Sequence, residues 1–203
     1  MNLGDLIQRV SLKLGEQTTF YPEEEIVANG LNPAQRLLCL TYPFLLQKRV
    51  LLSIYPEQVF TDLRSITPTI RKLNRVVLGD VFAPLGSPVS ATGELKRLHV
   101  TTINRLAGLN DWMRQTGTTT KYWMFGPYWF GLWKRPMTTL SVTLLYDAMP
   151  TQLTLSALTA IPDVDQVYHP LLADIATGLL LCKEGDPESG RGVTMIREAL
   201  KSV

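Results

Sequence analysis

Hydrophobic positions change period along this chain, and the changes divide it into three stretches. Leu3, Leu6, Ile7, Val10 and Leu14 recur at helical spacing, with Asn2 placed to cap the helix, Asp5 at its third position and Gly15 as its stop. Pro22 followed by Glu23, Glu24 and Glu25 announces a second helix, since proline suits the first turn and carboxylates suit the positive end of the helix dipole. Asn29-Gly30 and Asn32-Pro33-Ala34-Gln35 interrupt it, and Asn32 to Gln35 has the composition of a fresh cap. The pattern therefore predicts one long helix, kinked near Pro33, ending at about Leu46. From Lys48 the language changes. Val50, Leu52 and Ile54 alternate, Pro56 to Gln58 turns, and Val59, Phe60 and Leu63 resume, which predicts a hairpin; Ile70 to Leu78 predicts another strand. Ala83 to Pro88 is an irregular loop, Leu95 to Val100 a short strand, and Thr102 to Trp112 a helix with Ile103, Leu106 and Met113 on one stripe and Gly117 as its stop.

The stretch from Lys121 to Thr154 has the strongest pattern. It holds all but one of the four tryptophans. Two aromatic segments, Tyr122 to Phe125 and Tyr128 to Trp133, flank the turn dipeptide Gly126-Pro127. A strict alternation follows, with Leu140, Val142, Leu144 and Tyr146 on one face and Ser141, Thr143, Leu145 and Asp147 on the other, the signature of a half-buried strand. The three segments predict a three-stranded antiparallel unit.

After Thr154 the helical period returns. A strongly apolar helix is expected from about Val167 to Lys183, with Tyr168, Leu172, Ile175, Leu179 and Cys182 on one face and Leu180 and Leu181 widening it. Gly185-Asp186-Pro187-Glu188 breaks the chain, and Val193, Ile196 and Leu200 mark a final amphipathic helix. The expected class is α+β: a helical bundle formed by the N- and C-terminal helices, with a β-rich central insertion. The boundaries expected from the period changes are 1–47, 48–154 and 155–203.

Bulk properties narrow the function. At 203 residues and 45% hydrophobic, the chain can bury a sizeable core. No apolar run has the length of a membrane span, and the first residues lack the basic and apolar regions of a signal peptide, so the chain is expected to stay in the compartment where it is made. Cys39 and Cys182 lie within apolar helical patterns and read as packing residues. The net charge of +2 conceals an asymmetry: Lys48 to Arg135 holds thirteen Lys and Arg against five Asp and Glu, and the two ends together hold seven against thirteen. Such a division suits two regions facing different partners, because summed charge governs long-range attraction rather than fold.

Catalytic spacings are missing. The sequence has no G-x-S-x-G, G-x-G-x-x-G, H-E-x-x-H or C-x-x-C. Gly185 to Gly192 has the glycine spacing of a phosphate loop, but Arg191 stands where a lysine is needed, Gly192 where a hydroxyl is needed, and a helix precedes it. His99 and His169 are the only histidines, neither has a carboxylate or thiol at ligand spacing, and His169-Pro170 reads as a helix start. No cofactor or metal is expected.

In order along the chain, Gly117, Thr118, Tyr122 and Trp123, then Tyr146, Pro150, Leu153 and Thr154, then His169, Pro170, Leu171, Asp174, Ala176, Leu179, Glu184, Gly185, Asp186 and Pro187 form a succession of motifs. With Asn32 to Gln35 near the start, this order resembles the head–tail adaptor (connector) proteins of tailed bacteriophages. The resemblance implies a structural virion protein at the head–tail junction, made in the host cytoplasm and without catalytic activity. It further implies a homo-oligomeric ring, typically dodecameric, joining the portal protein to a tail or nozzle protein, away from any membrane. DNA would pass through its lumen without sequence-specific binding. By the same resemblance the C-terminal segment would face the portal through Arg197, Lys201 and Val203.

The residues add their own expectation. Phe125, Trp129, Phe130 and Trp133 form more aromatic surface than a small insertion readily hides, which marks an interface. Three alternatives stand beside the adaptor reading: a tail nozzle or tail-ring subunit; a nucleic-acid-binding module using Lys48, Arg49, Arg71, Lys72, Arg75, Lys96 and Arg97; and a hydrolase using scattered carboxylates such as Glu23 and Glu57, which no motif favours.

Overall fold

The computed structural model describes residues 1–15, 21–56, 58–66, 69–79, 96–184 and 188–203. The loop expected at Ala83 to Pro88 lies outside them, as do Glu57 and Gly185 to Pro187. The chain forms two compact units, a helical one from residues 1–46 and 149–203 and a β-rich one from 47–148.

In the helical unit, α1 (Leu3–Leu14) opens with a reciprocal cap. Asn2 Oδ1 accepts from the Asp5 amide at 2.8 Å while Asp5 Oδ2 accepts from the Asn2 amide at 3.0 Å. The predicted stripe is buried and Gly15 closes the helix at φ 63°. The second helix is not continuous α. It comprises α2 (Glu23–Glu25), a π-helical segment at Ile26–Leu31 and α3 (Asn32–Thr41). Pro33 has no N–H to donate, and the turn ahead of it widens so that the Asn32 amide reaches back five residues to Val27 O. The expected kink is thus a π turn. The helix also stops short of Leu46: Tyr42 precedes Pro43, takes φ −125°, and leads into a 3₁₀ turn at Pro43–Leu46.

The centre of this unit is α5 (His169–Glu184), against which α1, the π segment, α3 and α6 (Glu188–Lys201) all pack. Leu172, Ala173, Ile175, Ala176, Thr177 and Leu180 are fully enclosed. The buried surface is broader than the predicted stripe, while Tyr168, Leu179 and Cys182 are only half-buried. Helices α5 and α6 cross at two glycines. A Cβ on Gly178 would lie 2.7 Å from Gly192 O, and one on Gly192 would lie 2.5 Å from Gly178 O.

Asn32 does not cap α3. Its buried amide donates to Leu153 O at 3.0 Å and accepts from Leu153 N at 2.8 Å, an exchange that mimics a β-ladder pair. The residues after the last strand are thereby held to the helical unit.

In the β unit, β1 (Gln47–Ile54), β8 (Leu140–Ala148), β3 (Ile70–Leu78) and β4 (Lys96–Arg97) form one sheet in that order. The second runs β2 (Thr61–Asp62), β7 (Trp129–Trp133), β6 (Lys121–Phe125), β5 (His99–Thr101). Two expected arrangements change. The segments of the early hairpin separate, β1 pairing with β8 and β2 with β7. The aromatic pair β6–β7 is an antiparallel hairpin about Gly126-Pro127, but β8 leaves it for the other sheet. There it is a central strand between β1 and β3, and the face expected to be solvated holds Thr143, fully buried and donating to Gly79 O, and Asp147, 5% exposed.

The short strand expected at Leu95 to Val100 becomes two in the described residues, and the stretch 96–101 serves both sheets: β4 pairs with β3, β5 runs parallel to β6, and Leu98 is buried at the switch. The helix expected from Thr102 to Trp112 is only α4 (Ile103–Ala107), ended at Gly108. Met113 is exposed, and Trp112 instead meets Trp123 edge-on at 5.7 Å.

Candidate assembly surfaces

The aromatic hairpin has an inner and an outer side, set by strand alternation. On the inner side Tyr122 and Phe130 lie 5.9 Å apart, Phe130 is fully enclosed, and burial pushes the Tyr122 phenol pKa up. Phe130 therefore drops out of the expected interface set, because period 2 sends it inward. Phe125, at the turn, is 64% exposed. Trp129 is half-buried, its ring edge-on to Phe60 at 5.0 Å; Trp133 is half-buried beneath Lys121 Nζ, 5.1 Å from the ring centre.

A cation completes this patch. Arg64 lies over Tyr128 at 5.6 Å and over Trp129 at 5.5 Å, within cation–π range. It is held there by Asp62, which accepts from Arg64 Nε at 3.0 Å and Nη2 at 2.7 Å. The Arg64 hydrogen bonds hold the Asp62 carboxyl below its ordinary range, and the carboxylate raises the Arg64 pKa in return. Phe60, Arg64 and Tyr128 belong with Phe125 and Trp129, yet periodicity alone did not select them. The signal lay in Asp62-x-Arg64, a pair whose backbone turn brings carboxylate and guanidinium together.

On the helical unit, α6 presents Arg197 and Lys201 exposed, with Val203 half-buried. Both cations rim a groove of about 410 Å³ lined by Tyr42, Val193, Ile196 and Leu200. Tyr42 anchors its floor by donating to Leu200 O, and Phe44, 57% exposed, meets Tyr42 edge-on at 5.9 Å. The lining is apolar and the rim cationic.

The basic residues of the β unit lie mostly at the surface: Arg49, Arg71, Lys72, Arg75, Lys96 and Arg97 are exposed and Lys48 is half-buried. The histidines divide. His169 is enclosed at the start of α5 with Nε2 2.9 Å from Val164 O, whereas His99 is exposed. Cys39 and Cys182 are not joined in a disulfide, and Cys182 Sγ donates to Ser189 O. Among the described residues no cluster of His, Cys, Asp and Glu fits a metal ion, and no helix is long and apolar enough to cross a membrane. Gly192 is packed inside the α5–α6 crossing, not in a loop open to phosphate.

These features place the chain among α+β proteins whose exposed chemistry is aromatic and cationic surface. The model of the SU10 adaptor protein family matches residues 1–200, and the chain belongs to this family of phage head–tail adaptors. It is a structural component of the phage virion. No curated protein matches it.

Proposed function

We propose that this chain is the repeating subunit of a ring at the head–tail junction, joining the portal to the tail around the DNA channel. The whole-length family match carries this reading, and the surfaces support it. A ring subunit needs two different faces, each meeting the other on the next copy in a contact that closes by rotation. The patch of Phe60, Arg64, Phe125, Tyr128 and Trp129 suits contact with a neighbour or a tail protein, because exposed aromatic and arginine side chains dominate the energetics of interfaces. The α6 groove with Arg197 and Lys201 suits docking on the portal through an apolar segment carrying carboxylates. The acidic balance of the helical regions suits a lumen through which DNA slides, since close phosphate contacts would retard it.

Mass photometry of the protein alone and with a portal tests the reading. A stoichiometric ring on the portal is the expected result; a subunit that ignores the portal but forms rings with a tail protein would reassign it as a nozzle component. Removing the C-terminal segment is a poor test of portal docking, because Gly192 packs against α5. Arg197→Glu with Lys201→Glu leaves that packing intact and should abolish portal capture while preserving the thermal transition.

A further inference from the structure

The first sheet of the β unit has a cationic face laid out by its register. Opposite the core side, two rows run across β1, β8 and β3, Gln47–Asp147–Lys72 and Arg49–Leu145–Arg75; in the next row, Leu51–Thr143–Val77, Thr143 and Val77 are buried. Directly paired residues point to the same side of a sheet. Arg49, Lys72 and Arg75 are exposed; Leu145 is half-buried and Leu51 is 39% exposed. Arg71, also exposed, lies at the irregularity between Ile70 and Lys72. The one carboxylate in these rows, Asp147, is 5% exposed and accepts from the side-chain amides of Gln47 and Asn74. Among the described residues, neither Lys72 nor Arg75 is paired with a carboxylate.

Lys72 and Arg75 are three residues apart on β3, so at about 3.3 Å per residue they stand on the order of 10 Å from each other. In an isolated chain their mutual repulsion is largely screened at a Debye length of about 8 Å. Covered by a partner, the same charges lose that screening and require a complementary surface. The opposite balance lies in the helical regions: residues 47–148 hold thirteen Lys and Arg against six Asp and Glu, and residues 1–46 with 149–203 hold seven against twelve. Glu23 and Glu24 are adjacent exposed carboxylates in the first turn of the second helix, Glu25 beside them being engaged by Lys183.

We propose that this sheet face, centred on Lys72 and Arg75, receives the acidic helical unit of a second copy, around Glu23 and Glu24, in a head-to-tail contact. The inference rests on the ring reading and names the surfaces that would make the ring. Opposite charge on two faces of one chain favours heterologous contact and opposes pairing of like faces. A nucleic-acid backbone is the less suited occupant: the rows interleave the cations with Leu51 and Leu145 and present no aromatic ring on which a base could stack.

Two single-sided variants test it, Lys72→Glu with Arg75→Glu and Glu23→Lys with Glu24→Lys, by mass photometry on the portal, with circular dichroism to verify folding. Each variant alone is expected to lose ring formation. An equimolar mixture of the two, in which every contact is again between opposite charges, is expected to regain it. Rings from each variant alone at the wild-type level would overturn the contact, and so would loss in both without recovery on mixing. If the wild type forms no ring on the portal, the contact falls together with the ring reading; if it does and both variants do too, the contact alone falls. Loss of salt-sensitive duplex DNA binding in Lys72→Glu with Arg75→Glu, with ring formation unchanged, would reassign the face to nucleic acid.

Discussion

The indole of Trp123 covers the α-carbon of Gly131, its register partner across the aromatic hairpin, so closely that a Cβ at Gly131 would lie 2.3 Å from the ring atoms Cε2 and Cζ2. A strand glycine ordinarily weakens a sheet, but here the neighbouring ring fills the space its missing side chain leaves. Gly131→Ala is expected to displace Trp123, cost about 1–3 kcal/mol and alter the near-ultraviolet dichroism of the tryptophans. Combined with Trp123→Val, which removes the clash, the second substitution should cost much less. A fully additive double-mutant cycle would show that the ring does not set the requirement for glycine.

The α5–α6 crossing makes the same demand of two backbones. Because the added Cβ of Gly192→Ala would strike the backbone oxygen of Gly178 at 2.5 Å as well as Cys182 Sγ at 2.8 Å, the helices must separate. A loss of about 1–3 kcal/mol in chemical denaturation is expected. Gly190→Ala, at a position with open space around it, serves as the control and should be neutral or slightly stabilising.

Asn32 holds both polar groups of the Leu153 backbone. In Asn32→Leu both groups stay buried without their partner, at a cost of about 1–3 kcal/mol each. Hydrogen exchange at the Leu153 amide should accelerate. Asn32→Asp retains the acceptor and replaces the donor with an oxygen facing Leu153 O, so it should fall nearly as far at neutral pH and recover partly in acid.

Asp62 gives a pH dependence with a definite sign. Its folded pKa is lowered by hydrogen bonds from the Arg64 side chain and then from the Arg64 backbone. The stabilisation is therefore present above the unfolded value and is lost as pH falls through the folded one. By NMR, the Asp62 carboxyl should titrate below the ordinary aspartate range in the wild type and move upward in Arg64→Ala. Trp129 fluorescence should respond over the same acid range, because the guanidinium over its ring is held by that carboxylate.

Local signals in the sequence translated well. The cap at Asn2, the stripe of α1, the turn at Gly126-Pro127 and the apolar character of α5 each depend on residues close in the chain, where spacing determines which side chains share a face. Pairing between distant strands did not translate. Nothing in Val50 to Leu63 shows that β1 will pair with β8 instead of turning back, because a strand's alternation records that one side is buried and not which neighbour buries it. The surfaces were legible to a similar extent. Aromatic content marked Phe125 and Trp129, but alternation decided that Phe130 turns inward, and Arg64 enters the patch through a short turn that hydrophobic period does not describe. Asn32 was conspicuous as a helix interruption; its partner, Leu153, lies far along the chain.

The chain enters the β unit at Gln47 and leaves it at Ala148, and Gln47 is the register partner of Asp147. Both crossings thus occur side by side on neighbouring strands, which makes the insertion a cassette: its two ends lie no farther apart than the ends of a tight turn. The helical unit could be closed by a few turn residues in its place, and residues 47–148 could be expressed with their own ends adjacent. Residues 47–148 can therefore be replaced as one piece without redesigning the helices on either side of them in the chain.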